Sequence, residues 1–123
     1  MGFNLSIGQF NRELDEDGYE HVFVKEVYLD EAPADDVPTD HMNKRWPSYI
    51  SWGDFMDAMG WEEEFLIPSH PGYVIIDQTF KSIVDAAYEK HKDAPEHGVR
   101  ITWMKFWTDW ALVNCAQPIF HNS

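Results

Sequence analysis

The sequence predicts an α+β fold, with a small antiparallel sheet of short strands and about three helices packed on one face. Three observations carry that prediction. Segments near the N-terminus are rich in strand-forming residues, later segments place apolar residues three and four apart, and the stretches between concentrate Pro, Gly, Asn and Asp. A chain of 123 residues has the size of one domain, so residues 1–123 are expected to fold as a single acidic unit. Six Trp, eight Phe and five Tyr supply a core of large side chains.

Taken in order, Phe3, Leu5 and Ile7 alternate with Asn4 and Ser6, a period of two that makes a short strand ended by Gly8. Asp17-Gly18 is turn chemistry. His21–Leu29 is the richest strand-forming run, and antiparallel pairing with the first strand is the simplest connection. The sheet is therefore expected to draw mainly on the first 30 residues. Asp30–Arg45 carries Pro33, Pro38 and five acids with almost no apolar periodicity, which predicts a long acidic surface loop at about 30–45.

Ser48 can cap a helix whose apolar face is Tyr49, Trp52, Phe55, Met56 and Met59, with Gly60 as its stop. Phe65–Ile67 and Tyr73–Ile76 are each long enough only for a short strand or an extended pass, and the turn residues Pro68–Gly72 separate them. Asp77 or Thr79 caps a second helix, with Phe80, Ile83, Val84, Ala87, Tyr88 and His91 on one stripe and Lys81, Asp85, Glu89 and Lys92 facing away. A last helix from about Val99 to Cys115 aligns Trp103, Phe106, Trp107, Trp110 and Asn114, and Pro118 stops it. At helical spacing these aromatics are expected in the core, with one or two Trp reaching the surface.

Charge sets the functional expectation. The formal net charge is −13, and residues 1–64 hold sixteen acids against four bases while residues 65–123 hold six against five. Direct nucleic-acid binding is disfavoured, because neutralising phosphates requires clustered Lys and Arg. A basic protein partner is allowed, and Asp30, Glu31, Asp35, Asp36, Asp40, Glu62, Glu63 and Glu64 are the candidate contact residues.

Other chemistry finds weaker support. Met1-Gly2-Phe3-Asn4-Leu5-Ser6 fits the myristoylation pattern, but one acyl chain binds membranes only marginally and the acidic segment that follows repels anionic lipid. Asp15–Gly18 lacks the ligand register of a calcium loop. The six His form no H-x-x-x-H pair and no H-E-x-x-H helix, so neither metal nor cofactor is expected. Cys115 is the sole cysteine, which excludes an intrachain disulfide and fits a reducing cytoplasmic compartment. Without an electropositive setting it reads as a small buried hydrophobe. Nucleotide-binding loops and the serine-hydrolase elbow are absent from the sequence.

Met1-Gly-Phe-Asn-Leu-Ser-Ile-Gly8, Arg45-Trp-Pro-Ser-Tyr49 and Phe106-Trp-x-x-Trp-Ala-Leu-x-Asn-Cys115 together resemble a family of small uncharacterised proteins of bacteriophages and their hosts. The resemblance implies a phage or prophage setting and no particular activity. The leading expectation is thus a non-enzymatic accessory protein that binds a basic host or phage partner through an acidic face, as a mimic of nucleic-acid charge or an inhibitor. Two alternatives stand beside it: a small enzyme or metal-dependent domain using His and carboxylates assembled by the fold, and a structural component of a phage assembly.

Overall fold

The computed structural model describes residues 3–33 and 41–123. Along the chain lie β1 (Leu5–Gln9), β2 (Asn11–Leu14), β3 (Glu20–Phe23), β4 (Lys44–Arg45), α1 (Tyr49–Met59), α2 (Glu63–Leu66), β5 (Gly72–Ile75), α3 (Gln78–His91), α4 (His97–Asn114) and β6 (Pro118–Asn122). The fold class is α+β. β4, β1, β6 and β5 form an antiparallel sheet in that order, and β2 pairs with β3 as a separate hairpin.

Two strand expectations change. The first strand does not pair with the run at 21–29; it lies between β4 and β6, and the hairpin takes residues 20–23 instead. The hairpin closes locally because the Asp15 carboxylate accepts from the Asp17 and Tyr19 amides, both at 2.9 Å. The strand that replaces 21–29 beside β1 comes from the C-terminus. Ile119–Asn122 are all buried, and a strand covered on both faces shows no alternation of apolar and polar residues to read.

Register divides the sheet into two faces. Leu5, Ile7, Val74 and Phe120 share the face that packs on the helices, in one core with Trp52, Phe55, Phe80, Ile101, Trp103 and Trp107. On the opposite face Ser6, His121 and Tyr73 form one row, and Gly8, Ile119 and Ile75 the next. The chain beyond β3 crosses this second face closely: a Cβ on Gly8 would stand 2.8 Å from Val24 Cγ1.

The expected loop at 30–45 ends early. Met42, Asn43 and Arg45 are buried, and Lys44–Arg45 pairs with Leu5 and Ser6. Asn43 is the reason. Its side chain donates to Ile7 O at 2.7 Å and accepts from Val27 N at 3.1 Å, so it ties β1 to the segment after β3. Trp103 Nε1 donates to Met42 O at 3.0 Å from the other side. Asp35, Asp36 and Asp40 lie outside the described residues.

The helices follow their caps. Ser48 Oγ accepts from Ser51 N at 3.2 Å, Gly60 ends α1 at φ 76°, and Asp77 accepts from Phe80 N at 2.8 Å. α2 is a single turn where a short strand or an extended pass was expected. α4 begins at His97, and Gly98 is required there because a Cβ would lie 2.5 Å from Lys92 O. Among the described residues no helix is long and apolar enough to cross a membrane.

Trp107 is fully buried and Val113, on the same helix, is 83% exposed. Trp107→Ala is expected to cost about 3–5 kcal/mol by urea denaturation, and Val113→Ala less than about 0.5 kcal/mol.

Candidate functional site

The charge imbalance of the sequence becomes an imbalance of ion pairing. Lys81 and Lys105 each bridge both Asp85 and Asp109, at 2.7–2.9 Å, and this closed square ties α3 to α4. Burial alone would raise the Asp85 pKa, but hydrogen bonds from Lys81 and Lys105 outweigh it and hold the carboxyl below its ordinary range. The hydrogen bond to Asp109 is the main cause that raises each lysine. Further pairs join Arg100 to Glu96, Lys92 to Glu89, Lys44 to Glu26 and Arg12 to Glu20.

The sequence-predicted contact residues show the opposite condition. Asp30, Glu31, Glu62, Glu63 and Glu64 are exposed, and among the described residues none of the five makes an ion pair. They are not gathered at one place. Glu31 borders a shallow cleft with Tyr88, Lys105 and Asp109. Glu63 lines a different cleft of about 300 Å³ between α1 and α2, with Tyr49, Gly53, Met56, Asp57, Trp61 and Ile67.

That second cleft combines two carboxylates with two aromatic rings. Asp57 projects from α1, and the Gly60 stop turns the chain so that Trp61 and α2 follow directly. Trp61 is fixed edge-on between Phe55 and Phe65, with ring centroids at 5.7 and 4.9 Å, and Tyr49 stacks on Phe3 at 4.2 Å. Gly53 leaves open space, since an added Cβ would meet nothing within 4 Å. Sequence reasoning missed Asp57, Trp61 and Gly53. The available signal was the glycine, which costs roughly 1 kcal/mol against Ala inside a helix and has no packing contact to explain it.

Histidines and carboxylates meet at one further place. A cleft of about 450 Å³ on the second face of the sheet is lined by Glu20, His21, Ser69, Tyr73 and His121, among others. Two of these groups are already engaged: Glu20 pairs with Arg12, and His21 lies 2.9 Å from Asp15. His121 is 7% exposed, and burial lowers its pKa. The other histidines are dispersed. His70 hydrogen-bonds Asn122 Oδ1 at 2.5 Å, His41 donates to Ala32 O at 2.7 Å, and His97 packs near Phe55. Among the described residues no group of three His, Cys, Asp or Glu is placed to hold a metal ion. Cys115 is half-buried against the core and burial raises its thiol pKa, the reverse of what a nucleophile needs.

No family model, no curated protein and no solved structure matches the chain.

His121 gives a pH signature. In the unfolded chain it binds a proton near pH 6.5, while the folded state resists that proton. Below that pH the unfolded state therefore binds more protons, so stability is present above it and falls as the pH drops toward the lowered folded value. The Tm of the parent is expected to fall more steeply between pH 7 and 5 than that of His121→Asn, whatever the offset between the two at pH 7; equal slopes would contradict the assignment.

Proposed function

We propose that the protein is a non-enzymatic binding protein that docks a basic partner through its acidic face, with the cleft between α1 and α2 as the point of engagement. The observation that supports this is the contrast in pairing: Asp85 and Asp109 are neutralised by two lysines, whereas Asp57 and Glu63 meet in a cleft without a counter-ion among the described residues. Asp54, Glu62 and Glu64 are exposed nearby in sequence and extend the negative field.

A Lys or Arg side chain from the partner matches the cleft's chemistry. Its aliphatic stem would lie against Met56 and Ile67, its charge against Asp57 and Glu63, and its cation would meet the Tyr49 and Trp61 rings, an attraction of about 0.5–1 kcal/mol at exposed sites. The surrounding acids would steer the partner and raise its association rate, an effect that salt screens. On a partner that itself binds nucleic acid, the same contacts would compete with phosphates, which is the sense in which the protein would act as a charge mimic. If the resemblance to small phage and prophage proteins holds, that partner would be a host or phage protein with a basic surface.

An enzyme using Glu20, His21 and His121 is the second reading, favoured by the depressed pKa of a buried histidine at a cleft. The engagement of Glu20 with Arg12 and of His21 with Asp15 weighs against it.

Binding of a lysine- and arginine-rich peptide, followed by Trp fluorescence, tests the proposal. The double variant Asp57→Asn/Glu63→Gln is expected to weaken binding at least tenfold at low salt with little change in Tm, and the parent's affinity is expected to fall as salt rises. Equal affinity of the two proteins would exclude the cleft. Gly53 separates space from charge. Gly53→Ala should raise stability by about 0.5–1 kcal/mol through helix propensity, whereas Gly53→Leu should fill the cleft and abolish binding in a folded protein.

A further inference from the structure

β5 is an edge strand of the four-stranded sheet, paired on one side only, by β6. Ile76 N donates to Pro118 O, and Ser123 and Asn4 exchange both of their backbone hydrogen bonds. These contacts fix the parity of the sheet. β6 uses residues 119, 121 and 123 toward β1 and residues 118, 120 and 122 toward β5. On β5, therefore, Gly72 and Val74 face β6, and Tyr73 and Ile75 direct their N–H and C=O groups away from the sheet.

Edge strands are commonly guarded by Lys, by an internal Pro or by a bulge. Gly72–Ile75 is short, four residues, but has none of these three guards and carries no carboxylate or amine, so two copies can meet here without like charges in direct opposition. The register is bracketed on both sides. Pairing Tyr73 with Ile75 of a second chain about a two-fold axis at Val74 matches both outward N–H groups and both outward C=O groups of each strand. A shift toward the N-terminus sets Pro71, which has no N–H, opposite Ile75; a shift toward the C-terminus sets Asp77 opposite Tyr73. The side chains agree. Tyr73 is 37% and Ile75 65% exposed on the same face, and the two-fold pairing covers each with the other.

We propose that the protein self-associates through antiparallel β5–β5 pairing, joining two four-stranded sheets into one of eight. This surface is independent of the acidic cleft, and the two respond oppositely to salt. Chains of net charge −13 repel each other, so screening strengthens the dimer while it weakens the binding of a basic partner.

Sedimentation equilibrium across protein concentration, at low salt and at about 0.5 M NaCl, reads the outcome. The average mass is expected to rise from 14.4 kDa toward twice that value, at lower protein concentration in the higher salt. Ile75→Lys should weaken association at least tenfold without lowering Tm, and Asp57→Asn/Glu63→Gln should leave association intact. Amide exchange at Tyr73 and Ile75 should slow as concentration rises, a readout that needs no variant. A mass of 14.4 kDa under all conditions would overturn the proposal, as would an Ile75→Lys protein that associates as tightly as the parent. Binding of an extended apolar peptide at this edge by a protein that stays monomeric would overturn it too, and assign the edge to a foreign strand.

Discussion

The sheet depends on its last strand. β6 stands between β1 and β5, and without it the N-terminal strand would keep only the two-residue β4 as a neighbour and β5 would have none. Its alternate hydrogen bonds go to opposite neighbours, and its alternate side chains go to opposite faces. Phe120 enters the core among the helices, while Ile119 and His121 lie on the face crossed by the chain after β3. Asn122 extends this hold to the next loop. Its amide donates to Ser69 O at 2.9 Å and Gly72 O at 3.2 Å, and its oxygen meets His70, so a fully buried polar group is satisfied by the turn that leads into β5.

Asn43 does the same work at the other side of the sheet. It bridges Ile7 to Val27, and Trp103 anchors the residue before it. These are long-range contacts made by side chains that look like ordinary loop polars in sequence. They explain where the sequence was legible and where it was not. α1, α3 and α4 were readable because cap, stripe and stop lie within one segment, and all three helices occur close to their expected bounds. β6 and the segment at 41–45 were not, because their burial on both sides removes the alternation that marks a half-exposed strand. Single-turn α2 is too short to show a period.

The candidate site was partly legible for a similar reason. Glu62, Glu63 and Glu64 stand out as a charged run, and exposure without ion pairs is the state that a contact role requires. Asp57 was not singled out in the sequence, and only the turn at Gly60 brings Glu63 and Trp61 to the same cleft. Asp30 and Glu31 belong to another part of the surface, with Glu31 at the α3–α4 cleft. Among the described residues, the acids of that half thus do not line one cleft.

Among the described residues, charge compensation separates the paired acids of the α3–α4 square from the unpaired acids of the α1–α2 cleft, and the functional reading rests on that division. The most direct test is an NMR titration of the parent protein with an oligo-arginine peptide at low salt, following backbone amides. Shifts concentrated at Gly53, Asp57, Trp61 and Glu63, with Lys81, Asp85, Lys105 and Asp109 unmoved, are the expected result. Shifts spread evenly over all exposed acids, or centred on the α3–α4 square, would contradict it and leave the acidity as a general property of the surface.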